Sequence, residues 1–154
     1  MESDKAYEAL LSISINKNFN LLSEYLQNSE PIKINLSPLP FVEYLASVVV
    51  SQQLSTKAAK TIWSRVQPII QSNKHSQSIE IVLNEAGLSK SKANYVSGLI
   101  QNSELSSFKR SDLCGLTKAE FETLLITNKG IGPWSVQMAR MFYLGDADVM
   151  PIND

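Results

Sequence analysis

Apolar side chains recur at helical spacing along almost all of this 154-residue chain, and no long stretch alternates with the period of two that a half-buried strand needs. Phe41, Tyr44, Leu45, Val48 and Val49 form an i, i+3, i+4, i+7, i+8 stripe, and Ala59, Ile62, Trp63, Val66, Ile69 and Ile70 form a second. Pro68 is expected to kink or end that second helix. Ile79, Val82, Leu83 and Ala86 predict a short helix stopped by Gly87, a natural residue for the turn after a helix. Ala93, Val96 and Ile100 continue the pattern, and Thr117-Lys-Ala-Glu120 reads as a capping box ahead of Phe121, Leu124 and Leu125. Tyr7, Leu10 and Leu11, then Phe19, Leu22 and Leu26, predict two helices before a connector running from Pro31 to Pro40. The fold class is all-α, a bundle of about eight to nine short helices without internal repeats.

Composition narrows the field further. At 44% apolar and 19% charged residues, the chain can build a core, which excludes a disordered segment, a collagen-like repeat or a disulfide scaffold. The single Cys114 can form neither an internal disulfide nor a cysteine-based metal site, and it is expected to be a small buried residue. No apolar run approaches a membrane span, and the first residues lack the basic start of a secretory signal, so an intracellular soluble protein is expected. Net charge is −1, yet it is unevenly spread. Residues 51–110 carry +5, between flanks at −3 each. Such a central stripe suits either a solvated helix face or a phosphate track.

The stretch that carries chemistry is Lys129-Gly-Ile-Gly-Pro-Trp-Ser135. Two glycines one residue apart allow positive φ and close backbone approach. Pro133 then suits a first helical turn, where its missing N–H costs nothing. The expected result is helix, tight hairpin, helix, with the N–H groups of Gly130, Gly132 and Trp134 presented at a helix start, a geometry that binds a phosphate. A plain helix–helix turn is the alternative for this motif taken alone.

Gly130-Ile-Gly-Pro-Trp134-Ser-Val-Gln-Met, followed by Asp148-Val-Met-Pro-Ile-Asn-Asp154, resembles the signature of the helix-hairpin-helix DNA glycosylases. The likeness is strongest to the 3-methyladenine DNA glycosylase II branch, which repairs alkylated bases. Val50-Ser-Gln-Gln-Leu-Ser-Thr-Lys-Ala-Ala59 and Ala86-Gly-Leu-Ser-Lys-Ser-Lys-Ala93 agree with it, so four blocks stand in the family's order between about residues 41 and 154. The resemblance implies an accessory lobe containing the N-terminal helices (1–36) and a glycosylase domain (37–154). It implies double-stranded DNA with a flipped damaged base as partner, no metal, no cofactor and no membrane. The expected place of action is the cytoplasm, with the nucleoid in a bacterium, or the nucleus in a eukaryote.

The same resemblance assigns residues. Asp154 takes the place of the catalytic carboxylate, because breaking an N-glycosidic bond builds positive charge on the sugar that a carboxylate stabilises. Asn153 occupies the neighbouring slot. Relatives that also cut the backbone carry a Schiff-base lysine where this chain has Trp134, and an indole forms no imine. A monofunctional glycosylase without lyase activity is therefore expected, with Trp134 and Met138 in the base pocket. Gln53, with Leu54, is expected to fill the gap left by a flipped nucleotide. Gln52, Ser135, Lys57 and Lys90 complete the DNA-binding set, with Lys60 and Lys92 as further phosphate neighbours and Ser55 as a helix N-cap. His75 is expected in a polar surface loop.

Family members continue for several helices beyond the carboxylate, so a fragment, a shortened form or a decayed gene are all open. On that expectation the Phe41–Val50 and Trp134–Leu144 segments expose an apolar patch, and the chain self-associates with little activity of its own. A non-catalytic DNA-binding module and a helical interaction domain are the alternatives.

Overall fold

The computed structural model describes residues 2–31, 34–72 and 79–150, so Asp154, Asn153 and His75 lie outside the described residues. Two compact units divide the chain, Met1–Asn35 and Leu36–Asp154. Among the described residues there is no strand. Ten α-helices and one π-helical turn are present among them, slightly more than the periodicity suggested. The surplus comes from two five-residue helices, which are too short for a repeat to show.

The first unit is a helical pair, α1 (Glu2–Asn16) and α2 (Asn20–Gln27). Asn18 makes the turn between them with φ +57°. The Tyr7 hydroxyl donates to the carbonyls of Leu26 and Ser29, and the buried Ser14 hydroxyl donates to the Leu11 carbonyl while accepting from Ser23.

The second unit is built on α3 (Phe41–Ser51), of whose eleven residues seven are buried. Around it come α4 (Thr56–Gln71), α5 (Ile79–Glu85), α6 (Lys90–Gln101), α7 (Ser103–Ser107), α8 (Arg110–Cys114), α9 (Lys118–Ile126) and α10 (Pro133–Ala139). A π-helical turn, Arg140–Leu144, follows α10 directly. Leu45, Val49, Val66, Leu83, Val96, Phe121 and Leu125 meet in one core, which unites the stripes read from the sequence. Beside it, the Tyr143 ring lies 5.1 Å from both Phe41 and Tyr44. The Arg110 guanidinium covers Tyr143 at 4.4 Å while donating to the Ser37 carbonyl.

The local signals act as anticipated at several helix ends. Ser55 accepts from the Ala58 N–H, Gly87 sits at φ +111°, and Thr117 and Glu120 cap each other's backbone N–H groups. α4 carries Pro68 in its last turn and ends three residues later, at Gln71. Two expectations need correction. Cys114 is exposed, since Leu113 takes the core position on α8. The apolar patch expected along residues 41–50 is absent among the described residues, because α4, α6, α7 and α10 pack against α3 and supply its cover. What remains open there is a cavity of about 530 Å³ bordered by Phe41, Val42, Ile70, Ile100, Phe108 and Tyr143.

Candidate nucleic-acid interface

The hairpin between α9 and α10 is shaped by three residues before any ligand is considered. Asn128 closes α9 by donating from its side chain to the carbonyls of Leu124 (2.9 Å) and Leu125 (3.2 Å), adding to the bonds these accept from the Thr127 hydroxyl and the Asn128 N–H at the helix end. Its own side-chain oxygen accepts from Asn102 at 3.1 Å, tying the turn to the start of α7. Ile131, 5% exposed, pins the middle of the turn to the core, and its N–H closes onto the Asn128 carbonyl.

The two glycines then divide the work. Gly130 holds φ +87°, and a Cβ built on it would lie 2.5 Å from the Tyr95 ring, so both its angle and its closeness exclude a side chain. Gly132 is different. Its φ of −110° is open to any residue, and a Cβ there meets nothing within 4 Å. The positive φ that the pair of glycines allows is thus used at Gly130 alone, while Gly132 has open space at its Cβ position, as the N-cap of α10 with Pro133 in the first turn. No described residue accepts from the N–H groups of Gly132 or Trp134.

A second loop, Gln52–Ser55 between α3 and α4, lies against this hairpin. The Gln52 amide donates to the Gly130 carbonyl at 2.9 Å and to the Ser135 hydroxyl at 3.2 Å. Lys92, in the first turn of α6, donates to the carbonyls of Val50 (2.8 Å) and Gln52 (2.5 Å), at the C-terminal end of α3. Burial pushes the Lys92 ammonium below its ordinary pKa. Held on both sides, the chain turns at Gln53 with φ +55°, a left-handed conformation uncommon outside glycine. Leu54 follows, 38% exposed.

The loop, the hairpin and the start of α6 enclose a groove of about 790 Å³, lined by Ser51–Leu54, Ser89, Ser91, Lys92, Tyr95 and Gly132–Ser135. Residues from separate blocks of sequence thus share one wall. The groove gathers Gln52, Gln53, Leu54, Gly132, Trp134 and Ser135 from the predicted set. Gln52 and Ser135 enter it as partners of each other, with Ser135 buried. Lys57 and Lys90 are exposed and lie outside its lining, Lys57 beside a shallow depression on α4. Met138 is also outside it. The Met138 carbonyl accepts from Tyr44 at 2.8 Å, and burial pushes that phenol well above its usual range. Lys92 and Tyr95 are the residues that sequence reasoning underrated. Nothing in the spacing distinguishes Lys92 from Lys90, and only the three-dimensional contact reveals that Lys92 grips the backbone.

The segment leading toward Asp154 is held at its start. Gly145, at φ +78°, ends the π-helical turn, and Arg140 bonds Asp146 at 2.9 and 2.5 Å and the Asp148 carbonyl at 3.2 Å. Lys118 pairs with Asp148 at 2.5 Å. Burial pushes the Asp146 carboxyl up, but hydrogen bonds from Arg140 and the Asp148 N–H, with the charges of Arg140 and Lys118, outweigh it and hold the pKa low. Among the described residues no cluster of three or more His, Cys, Asp or Glu could hold a metal ion, and no helix is long and apolar enough to cross a membrane.

No family model matches the chain. It is 30% identical over 156 aligned positions to DNA-3-methyladenine glycosylase 1 of Schizosaccharomyces pombe, which covers 91% of this chain and 64% of that protein. The homologue and the structural neighbours are 3-methyladenine DNA glycosylases. The chain spans less than two thirds of the length of that yeast relative. In structure it is similar to DNA-3-methyladenine glycosidase from Bacillus halodurans, with a TM-score of 0.71 and 29% identity over 94% of this chain and 68% of the other. The Schizosaccharomyces pombe 3-methyladenine DNA glycosylase in complex with abasic DNA shares the fold at a TM-score of 0.65 and 24% identity, over 80% of this chain and 63% of the other.

Proposed function

We propose that this chain carries the DNA-binding and catalytic part of a base-excision-repair glycosylase of the 3-methyladenine DNA glycosylase II branch. Its reaction is hydrolysis of the N-glycosidic bond of alkylated purines such as 3-methyladenine, without lyase activity. The observation that carries the reading is the groove in which the Gly130–Trp134 hairpin meets the Gln53–Leu54 loop tip, in a chain whose homologue is a DNA-3-methyladenine glycosylase. The hairpin offers main-chain donors to a phosphate, which carries no base identity, and the loop offers side chains to fill the space of a displaced nucleotide.

Asp154 is the proposed catalytic carboxylate. As the bond from C1′ to the purine nitrogen breaks, its electron pair leaves with the base and positive charge gathers on the sugar. A carboxylate beside that charge stabilises it and orients the water that adds at C1′. A 3-alkylated adenine is cationic before the reaction, so it leaves neutral without a strong general acid. Trp134 offers a flat π-face to a cationic purine. It also fills the position at which a lyase needs an amine.

Release of free base from methylated duplex DNA tests the activity. Asp154→Asn keeps the side chain's shape and removes its charge, so base release is abolished while duplex affinity stays nearly unchanged; excision within threefold of wild type would remove Asp154 from the mechanism. Borohydride reduction during incubation with damaged or abasic DNA should trap no covalent adduct. A stoichiometric adduct would place the protein among the lyases. Duplex binding without base release, in a folded protein, would favour a non-catalytic DNA-binding module.

A further inference from the structure

We propose that Lys92 is a positioning residue for base displacement: it acts on the damaged nucleotide through the Gln53–Leu54 loop tip rather than by touching DNA. The inference rests on the glycosylase reading above and adds to it a residue and a task.

Three observations converge on it. First, Lys92 lines the groove, where a free ammonium would be the natural phosphate ligand, yet its Nζ is committed to the carbonyls of Val50 and Gln52. Those carbonyls belong to the last turn of α3 and the residue after it, where helical hydrogen bonding has ended and a cation is favoured. Second, the Gln52 side chain anchors the same peptide from the other side, on the Gly130 carbonyl and the Ser135 hydroxyl. The main chain of Gln52 is therefore gripped from α6 and its side chain from the hairpin. Third, the next residue, Gln53, is held at φ +55°, and a non-glycine residue keeps such a conformation only where its surroundings over-determine it. Lys92 and Gln52 are those surroundings. Together they hold the tip rigid, so its insertion beside a displaced base costs little ordering at the moment of binding.

The test uses the whole chain and a duplex carrying 2-aminopurine beside a stable abasic-site analogue. Lys92→Met should bind undamaged duplex within about threefold of wild type. Its salt dependence should be unchanged, because no phosphate contact is lost. The equilibrium constant for base displacement, read from the rise in 2-aminopurine fluorescence, should fall about tenfold or more, the scale of one charge-assisted hydrogen bond. Lys92→Arg should recover part of the loss by keeping a donor on the carbonyls. Val66→Ala, a core change away from the groove, should lower thermal stability and leave the fluorescence rise intact, which separates positioning from general weakening.

If Lys92→Met does not fold, Lys92→Leu, which likewise offers no donor to the carbonyls, carries the same comparison. A wild-type fluorescence rise that persists in Lys92→Met or Lys92→Leu would overturn the inference and leave the glycosylase reading standing. A salt dependence reduced by about one phosphate contact would also overturn it, by making Lys92 a direct DNA ligand. No rise in the wild-type protein would sink base displacement itself, and this inference with it.

Discussion

A methyl group added at Gly130 would press into the Tyr95 ring at 2.5 Å on a backbone already at φ +87°, whereas one added at Gly132 would face open space. Gly130→Ala is therefore expected to destabilise the fold by about 2 kcal/mol or more, since a left-handed angle and a close contact both oppose a side chain. Thermal unfolding measures this directly, and an unchanged midpoint would mean that the hairpin does not need its observed shape. Gly132→Val should melt close to wild type and weaken binding to every duplex about equally, because its bulk stands where a phosphate would approach the Gly132 and Trp134 N–H groups. Sequence specificity gained or lost in that variant would contradict a hairpin that reads only backbone. The glycine pair was legible in the sequence, but the division of labour was not. It depends on Tyr95, which lies 35 positions earlier and is brought to the turn only by packing.

Helix ends account for most of what the sequence disclosed correctly, since caps and turns are set by neighbours a few positions away. Thr117-Lys-Ala-Glu120 forms its reciprocal cap as read, and its hydrogen bonds hold the Glu120 carboxyl below the usual carboxylate range. A folded-state pKa lowered in this way adds stability above the unfolded value, and that contribution disappears as pH falls through the folded value. The same sign applies to Asp146, which anchors the segment after the π-helical turn through Arg140. Acid titration should therefore lower the melting temperature from about pH 4 downward. Asp146→Asn should flatten part of that dependence, and an identical acid profile in the variant would show that the Arg140 pair does not contribute. The two five-residue helices are not legible in the sequence because a single turn carries no period.

The larger unit owes its core to residues from Phe41 to Tyr143, and none of that buried cluster precedes residue 41. A chain beginning at Leu36 is thus expected to unfold cooperatively, with a midpoint within a few degrees of the whole chain's. Residues 1–35 alone, with two helices of fifteen and eight residues, fall near or below the length at which isolated helices persist and should show little helical circular dichroism. Loss of cooperativity in the shorter chain would place part of its stability in the first thirty-five residues. At this level the all-α class was readable from periodicity alone. The groove was not, because its walls come from blocks around residues 52, 92 and 132 that sequence order keeps far apart.

That dispersal has a consequence for how such a sequence can drift. Position 130 is frozen twice, by its angle and by the ring above it, so relief at Tyr95 would not free it. Tyr95 packs partly buried against the core and over Gly130, and a smaller residue there would leave a void rather than a clash. Position 132 is free in the unliganded fold and constrained solely by what docks against it. Among descendants of this chain that lost their substrate, Gly132 should be the first of the three to change and Gly130 the last.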